Sequence, residues 1–270
     1  MLLWEAALLG LIQGLTEFLP VSSSGHLLLA QHLLGIDGGS DVTFEIVVHF
    51  GTALSIVVVY RNRLAELLRD STAALANPTS ISSAYRENPR VRTAVNIFLT
   101  LIPTGLLYLS LGDYLEQTFG NLRFVSAMLI LTGVLLLLTM IRKNPSGTIG
   151  PGKALLIGAA QAAALFPGLS RSGSTICTAI YANTDPEEAA NFSFLMLLPV
   201  VLIATVIKFG ELLANDTPPS SWSTLGVGAL VAFLSGIVAI KAILGVARRG
   251  RLAYFAIYCF ALGGLGLWLL

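Results

Sequence analysis

The chain has 270 residues, of which 55% are hydrophobic and 11% charged, and a mean hydropathy of +0.79; a soluble domain carries about a quarter charged residues. This composition excludes a soluble domain, a disordered chain and a collagen-like chain, and a net charge of +1 leaves no electrostatic footprint for nucleic acid. Because the apolar stretches recur along the whole length, the chain reads as one polytopic membrane unit over residues 1–270 and not as a signal peptide or anchor on a soluble domain.

The first apolar region, residues 2–35, is cut by Pro20-Val-Ser-Ser-Ser-Gly25, which predicts two half-helices joined by a polar turn. A full span is expected over residues 42–60, followed by a cytoplasmic loop over 71–88 with a short surface helix, then spans over 94–112 and 124–141. A second interrupted region, residues 152–182, breaks at Pro167-Gly-Leu-Ser-Arg-Ser-Gly173, and spans over 192–210, 224–247 and 252–270 complete the chain. The expected fold is all-α, with six transmembrane helices and two re-entrant broken helices. Most of the lysines and arginines fall in three loops, one holding Arg61, Arg63, Arg69, Arg86, Arg90 and Arg92, one Arg142, Lys143 and Lys153, and one Arg248, Arg249 and Arg251. The loops with Asp113 and Glu116, and with Glu211 and Asp216, have only Arg123 and Lys208 nearby, so the basic loops are assigned to the cytoplasm and both chain ends to the opposite side. Cys177 and Cys259 lie in apolar runs and read as packing residues. Trp4 and Trp268 read as interfacial anchors, and His32 as structural.

A shift of 148 residues lays Leu8 on Leu156, Gly10 on Gly158, Gln13 on Gln161, Phe18 on Phe166, Ser22 on Ser170, Ser24 on Ser172, Gly25 on Gly173 and Phe44 on Phe192. The chain therefore reads as two repeats, about 1–141 and 152–270, and the opposite directions of their matched spans make them an inverted pair. The same shift sets Glu17 against Leu165, Ser23 against Arg171 and His26 against Ser174, so the two repeats contribute unequal halves of one polar set. Each such charge costs about 2.5 to 3.5 kcal/mol at a helix centre, which argues for a use. One use is a buried Glu17 and Arg171 pair that only locks the repeats together; the serine-rich turns beside it point to a bound ligand.

A half-helix begins near His26 and another near Ser174, and a helix N-terminus offers free N–H groups and partial positive charge, so the expected guest is an anion. Arg171 can grip phosphate in a bidentate way, which favours a diphosphate over a carboxylate. Candidate binding groups are Gln13, Ser22, Ser24, Gly25, Glu45, Gly168, Ser170, Ser172, Gly173, Ser174 and Thr175. Gln13 and Glu17 share one helix face, where the acid could hold a divalent cation or act as a base. Ser23 and His26, three apart, could form a nucleophile and base, and His26 could also act alone. Glu45 is expected to turn toward the site, with His49 either its neighbour or a satisfied histidine near the interface.

Gln13-Gly-Leu-Thr-Glu17-Phe-Leu-Pro-Val-Ser-Ser-Ser-Gly-His26, with Phe44-Glu45 and Pro167-Gly-Leu-Ser-Arg-Ser-Gly-Ser-Thr175, closely resembles the bacterial undecaprenyl-diphosphate phosphatase, or bacitracin-resistance, family over essentially the whole chain. The resemblance implies that Glu17, Ser23, His26 and Arg171 are catalytic. It further implies that Glu17 and Gln13 hold a divalent cation, Mg²⁺ or Ca²⁺, and that undecaprenyl diphosphate is hydrolysed at the outer face of the inner membrane. Carrier recycling for peptidoglycan and bacitracin resistance follow from that activity. The partners expected are the polyprenyl diphosphate and membrane lipid, with a homodimer allowed by the sequence and nucleic acid excluded. The competing class is an inverted-repeat transporter or flippase for an anionic lipid or small anion, which explains the fold and Arg171 but gives no role to Ser23, His26 and Glu17 clustered in one repeat.

Overall fold

The computed structural model describes residues 1–36, 42–76, 81–142, 144–214 and 221–269. Lys143 and Asp216, which enter the loop-charge reading, lie outside the described residues, as do the side chains of Glu116, Lys208 and Glu211. The described residues form twelve α-helices in order: α1 Leu3–Phe18, α2 Ser23–Leu34, α3 Val42–Val59, α4 Arg61–Ala76, α5 Ile81–Glu87, α6 Pro89–Thr118, α7 Leu122–Leu138, α8 Pro151–Ala163, α9 Arg171–Tyr181, α10 Pro186–Ala214, α11 Trp222–Arg248 and α12 Tyr254–Leu269. Among the described residues the only β-type pairing is an isolated bridge between Gly147 and Thr184.

Among the described residues four helices are long and apolar enough by themselves to cross a bilayer, in α6, α7, α10 and α11, and the bent pair α3 and α4, turned by 81° at Tyr60, makes a fifth candidate. The last expected span, α12, is apolar but has 16 residues, roughly 24 Å at 1.5 Å per residue against a hydrocarbon core of about 30 Å. Large apolar side chains face outward along these helices, with Leu109 85%, Val206 72% and Ile257 70% exposed. A surface of that kind belongs against lipid tails, so the chain is a multi-pass membrane protein.

Lipid tails are as apolar as leucine, so the helices are held together by close backbone approach more than by burial from water. α11 fills the groove between α1 and α3, α8 packs on α6, and α12 on α7. Small residues line these crossings: a Cβ added to Gly14 would stand 2.5 Å from the Ala232 carbonyl oxygen, one on Gly51 2.5 Å from that of Ala229, and one on Gly158 2.6 Å from that of Thr100.

Both expected breaks are present. Pro20 has no N–H to continue α1, which ends at Phe18. The chain turns through Ser22, a non-glycine residue at φ 69°, whose hydroxyl caps α2 by accepting from the Gly25 N–H at 3.3 Å. The second break repeats the device: Ser170 caps α9 by accepting from the Gly173 N–H at 3.0 Å. Gly168 there holds φ 91°, a conformation that favours glycine, and a Cβ on it would run into the Val125 carbonyl. At the arginine-rich surface, Asp70 of α4 accepts from Asn88 Nδ2 and Arg69 Nε at 3.0 Å each and from Arg90 Nη1 at 3.2 Å, which pins α4 to the start of α6. The bond from Asn88 and those from the two arginines hold this carboxyl down at about 2. The pin is therefore complete above the ordinary aspartate range, about pH 4, and is lost as pH falls through the depressed value.

The crossings predict opposite effects at two glycines. Gly51→Ala meets backbone that cannot swing aside and should cost about 1–3 kcal/mol, lowering the unfolding temperature in detergent. Gly105→Ala, with nothing within 4 Å of its added Cβ, should leave that temperature unchanged or raise it, because alanine is the better helix former.

Candidate active site

Glu17 lies in the last turn of α1, where the helix dipole is unfavourable to an anion, and it is 6% exposed. An isolated carboxylate in such a place would be costly, so the surroundings must supply positive charge and donors. Arg171, the first residue of α9, supplies both: one Nη donates to Glu17 Oε1 at 2.7 Å, and the other donates to the Ser193 carbonyl at 3.0 Å. The second oxygen, Oε2, accepts from Gln13 Nε2 at 2.9 Å and from the Ser23 hydroxyl at 2.6 Å. His49 Nε2 of α3 stands 3.6 Å from the same oxygen. The first turn of α2 carries Ser23 here, and its leading N–H groups have no intrahelical acceptor.

The two turns are bonded to each other. Ser24 accepts from the Gly168 N–H at 3.4 Å, and its counterpart Ser172 donates to the Leu19 carbonyl at 2.9 Å. The Ser22 and Ser24 hydroxyls pair at 3.3 Å and those of Ser170 and Ser172 at 3.2 Å. Gly25 lies against Gly168, where a Cβ would contact the Gly168 Cα at 3.4 Å.

A cleft of about 370 Å³ opens beside this set. Glu17, Ser22, Ser23, Ser24, Glu45, His49 and Arg171 line its polar part, and Leu28, Ile46, Leu165, Leu197, Val200 and Ala204 form much of its apolar wall. The structure thus brings Glu17, Ser23, Arg171 and Gln13 together as expected, with Glu45 at the rim accepting from Gln31 Nε2 at 3.4 Å. It does not bring Ser23 and His26 together as a hydrogen-bonded pair. The Ser23 proton goes to Glu17, while His26 Nδ1 donates to the Ser22 carbonyl at 2.7 Å and Nε2 meets the Tyr258 hydroxyl at 2.7 Å. The His26 ring also stacks on Tyr258, with centroids 5.5 Å apart. Since a carbonyl only accepts, Nδ1 carries the hydrogen, and in the neutral ring Nε2 accepts from Tyr258.

The second-motif hydroxyls are buried, and all but that of Ser174 are turned to internal bonds. Ser170 N–H donates to Thr132 Oγ1 at 3.0 Å, and Thr175 donates to the Arg171 carbonyl at 2.8 Å and meets the Ser193 hydroxyl at 2.7 Å. Ser174 Oγ is buried without a partner, and Gly173 serves the cap of α9. Sequence reasoning missed Tyr258, Thr132 and Ser193, which lie on distant helices and have no local motif; for His49, the four-residue spacing from Glu45 was the available signal.

The donor set does not fit a divalent cation at Glu17 and Gln13. Both carboxylate oxygens already accept from Arg171, Ser23 and Gln13, and Gln13 presents its amide nitrogen to the acid, not its oxygen. Among the described residues no group of three His, Cys, Asp or Glu side chains is placed to hold a metal ion. What the arrangement offers is a hydroxyl bonded to a buried carboxylate beside a guanidinium, which is the make-up of an activated nucleophile with an anion-binding group.

Fold and site together define a multi-pass helical membrane protein with a buried cluster of Glu17, Ser23 and Arg171 between two broken helix pairs. Residues 6–265 match the family described as bacitracin resistance protein BacA, and the chain belongs to that family. It is 57% identical over 268 residues to an undecaprenyl-diphosphatase of Salinibacter ruber, covering 99% of each chain. It is 40% identical to one of Syntrophotalea carbinolica, covering 97% of this chain and 96% of that one, and 34% identical to one of Halothermothrix orenii, covering 97% and 95%.

The geometry of His26 predicts that Tyr258→Phe, which removes the hydroxyl bonded to Nε2, lowers kcat by about tenfold, as loss of orientation does. KM for a polyprenyl diphosphate should change less than threefold by the same reasoning. Equal loss on both parameters would assign the tyrosine to substrate binding instead.

Proposed function

We propose that the chain hydrolyses undecaprenyl diphosphate to undecaprenyl phosphate and inorganic phosphate, recycling the lipid carrier for peptidoglycan synthesis and thereby giving bacitracin resistance. The observation that carries this reading is the Ser23 hydroxyl at 2.6 Å from a Glu17 carboxylate that is itself bonded to Arg171, at the polar end of a cleft with an apolar wall. The family membership and the names of the relatives agree with it. In this reading the diphosphate lies at Arg171 and the free N–H groups of α2, and the prenyl tail runs along the apolar wall, where each buried CH₂ contributes about 0.8 kcal/mol. Ser23 attacks the terminal phosphorus as its proton passes to Glu17, and the bond to the bridging oxygen breaks, releasing undecaprenyl phosphate. Water then cleaves the phosphoserine and frees inorganic phosphate. Arg171 stabilises charge on the equatorial oxygens. The Mg²⁺ or Ca²⁺ implied by the resemblance would neutralise diphosphate charge when bound.

The architecture behind this reading is six spans, α3, α6, α7, α10, α11 and α12, with α1–α2 and α8–α9 as re-entrant pairs in an inverted repeat. Supporting it are the matched serine caps, the matched hydroxyl pairs, and the exchange by which α1 packs on α11 while α8 packs on α6. The loop charges support cytoplasmic basic loops and both termini outside the inner membrane.

The test is phosphate release from a polyprenyl diphosphate by detergent-purified protein, with and without EDTA. Wild type should release phosphate. Ser23→Ala should lose about a thousandfold or more in kcat, the scale seen when a nucleophile is removed, and Arg171→Ala should abolish release. No release from folded wild-type protein, with anion uptake into proteoliposomes, would move the assignment to the transporter class.

A further inference from the structure

We propose that α4 is an interfacial helix that rests one edge on an anionic phospholipid surface, with Leu68 and Leu75 among the upper acyl carbons and Arg61 and Arg69 on lipid phosphates. This contact is separate from the cleft and its reaction. α4 cannot cross the bilayer as a continuation of α3. Arg61, Arg63, Glu66, Arg69 and Asp70 put five charges into its first ten residues, and each is costly at membrane depth. The chain turns away instead, by 81°. Contacts of Arg90 with Glu66 at 3.0 Å and with Asp70 at 3.2 Å hold α4 beside the first turn of α6, and α6 is itself long and apolar enough to span. α4 therefore lies across the end of a span, at the level of the headgroups.

The residues of α4 sort by direction around its axis. Leu67 and Ala74, seven apart, are buried against the protein, and the two acids, Glu66 and Asp70, are turned to Arg90. Leu68 and Leu75, also seven apart, carry the apolar side past the edge of that cover and are 66% and 67% exposed. Next around the exposed side come Arg61, Ala65 and Arg69. Arg69 uses only its Nε on Asp70, and most of its side chain stays in the open. Exposed leucine bordered by arginine suits a helix lying in the interface: the leucines insert just below the phosphates, and the arginines reach those phosphates on their long stems. The lipid-facing surface leads to the same edge, since Leu54, Val57 and Val58 are exposed on the last turns of α3, just before Arg61. Two guanidiniums along that edge, with both acids of α4 engaged elsewhere, fit an anionic headgroup better than a zwitterionic one.

The test uses full-length protein in lipid nanodiscs, with a fluorophore on Leu68→Cys or, at the far border of the exposed side, on Ala73→Cys. Cys177 and Cys259 are fully buried, so the introduced cysteine takes the label. Each variant is checked for a wild-type unfolding temperature. The quenchers are phosphatidylglycerol or phosphatidylcholine carrying a nitroxide high on one acyl chain, and acrylamide in the water. The label at 68 should be quenched by the lipid nitroxide and shielded from acrylamide, and the label at 73 should behave in the opposite way. At 68, phosphatidylglycerol should associate several times more strongly than phosphatidylcholine. Arg61→Gln combined with Arg69→Gln should bring the two lipids close to equal, because one arginine near an anionic surface is worth about fivefold. A label at 68 that acrylamide quenches and lipid does not leaves the edge in water and overturns the proposal. Shielding from both quenchers puts protein on that edge, a second copy included, and overturns it too. Equal lipid quenching at 68 and 73 means that α4 is immersed and overturns the surface placement, and equal quenching by the two lipids at 68 in the protein with both arginines overturns the anionic preference.

Discussion

The ion pair between Glu17 and Arg171 is the constraint on which the rest depends. A carboxylate taken out of water at the end of a helix is stable only when charge and hydrogen bonds are supplied together, and removing one partner of such a pair typically costs about 3–5 kcal/mol. The breaks in both helical pairs exist where they do because the pair must form: α1 has to stop just after Glu17, and α9 has to start at Arg171 with its cap already made by Ser170. The cross-bonds Ser24 to Gly168 and Ser172 to Leu19 then hold the two turns at a fixed separation. The guanidinium reaches the acid at 2.7 Å without slack, because its other nitrogen is tied to Ser193.

Much of this is written locally. Proline, glycine and serine in a row inside an apolar stretch announce a break, and both breaks stand where the residues put them, as do the charged residues of the cluster. Pairings between distant helices are not written locally. Ser23 and His26 are one helical turn apart and look like partners, but a hydroxyl goes to the strongest acceptor within reach, which is the buried carboxylate six residues earlier; His26 is taken by a tyrosine 232 residues away. Sequence likewise shows the acid at Glu17 and not the three donors that reach it from Gln13, Ser23 and Arg171. Span counting has a different limit: α12 is shorter than the apolar run that predicts it, because residues 252 and 253 form a turn before the helix starts at Tyr254.

Rigid surroundings give the site its precision. Where backbones touch at Gly14, Gly51 and Gly158, helices cannot slide without collision, so α1, α3 and α8 move as parts of one body with α11 and α6. The side chains meeting at Glu17 come from α1, α2, α3 and α9, of which α1 and α3 are held against α11 by these crossings. The lipid-facing side has no such lock, and its leucines and valines are free to conform to acyl chains.

The separation of 154 positions between Glu17 and Arg171 also bears on how the protein is made. A chain emerging into the membrane presents its acid long before its arginine exists, and an unpaired carboxylate at membrane depth is strongly disfavoured. Until α8 and α9 have been synthesised, the α1–α2 pair lacks the guanidinium that stabilises its acid. A chain halted in translation before Arg171 therefore holds the acid, hydroxyl and amide of the cluster without the cation that balances them.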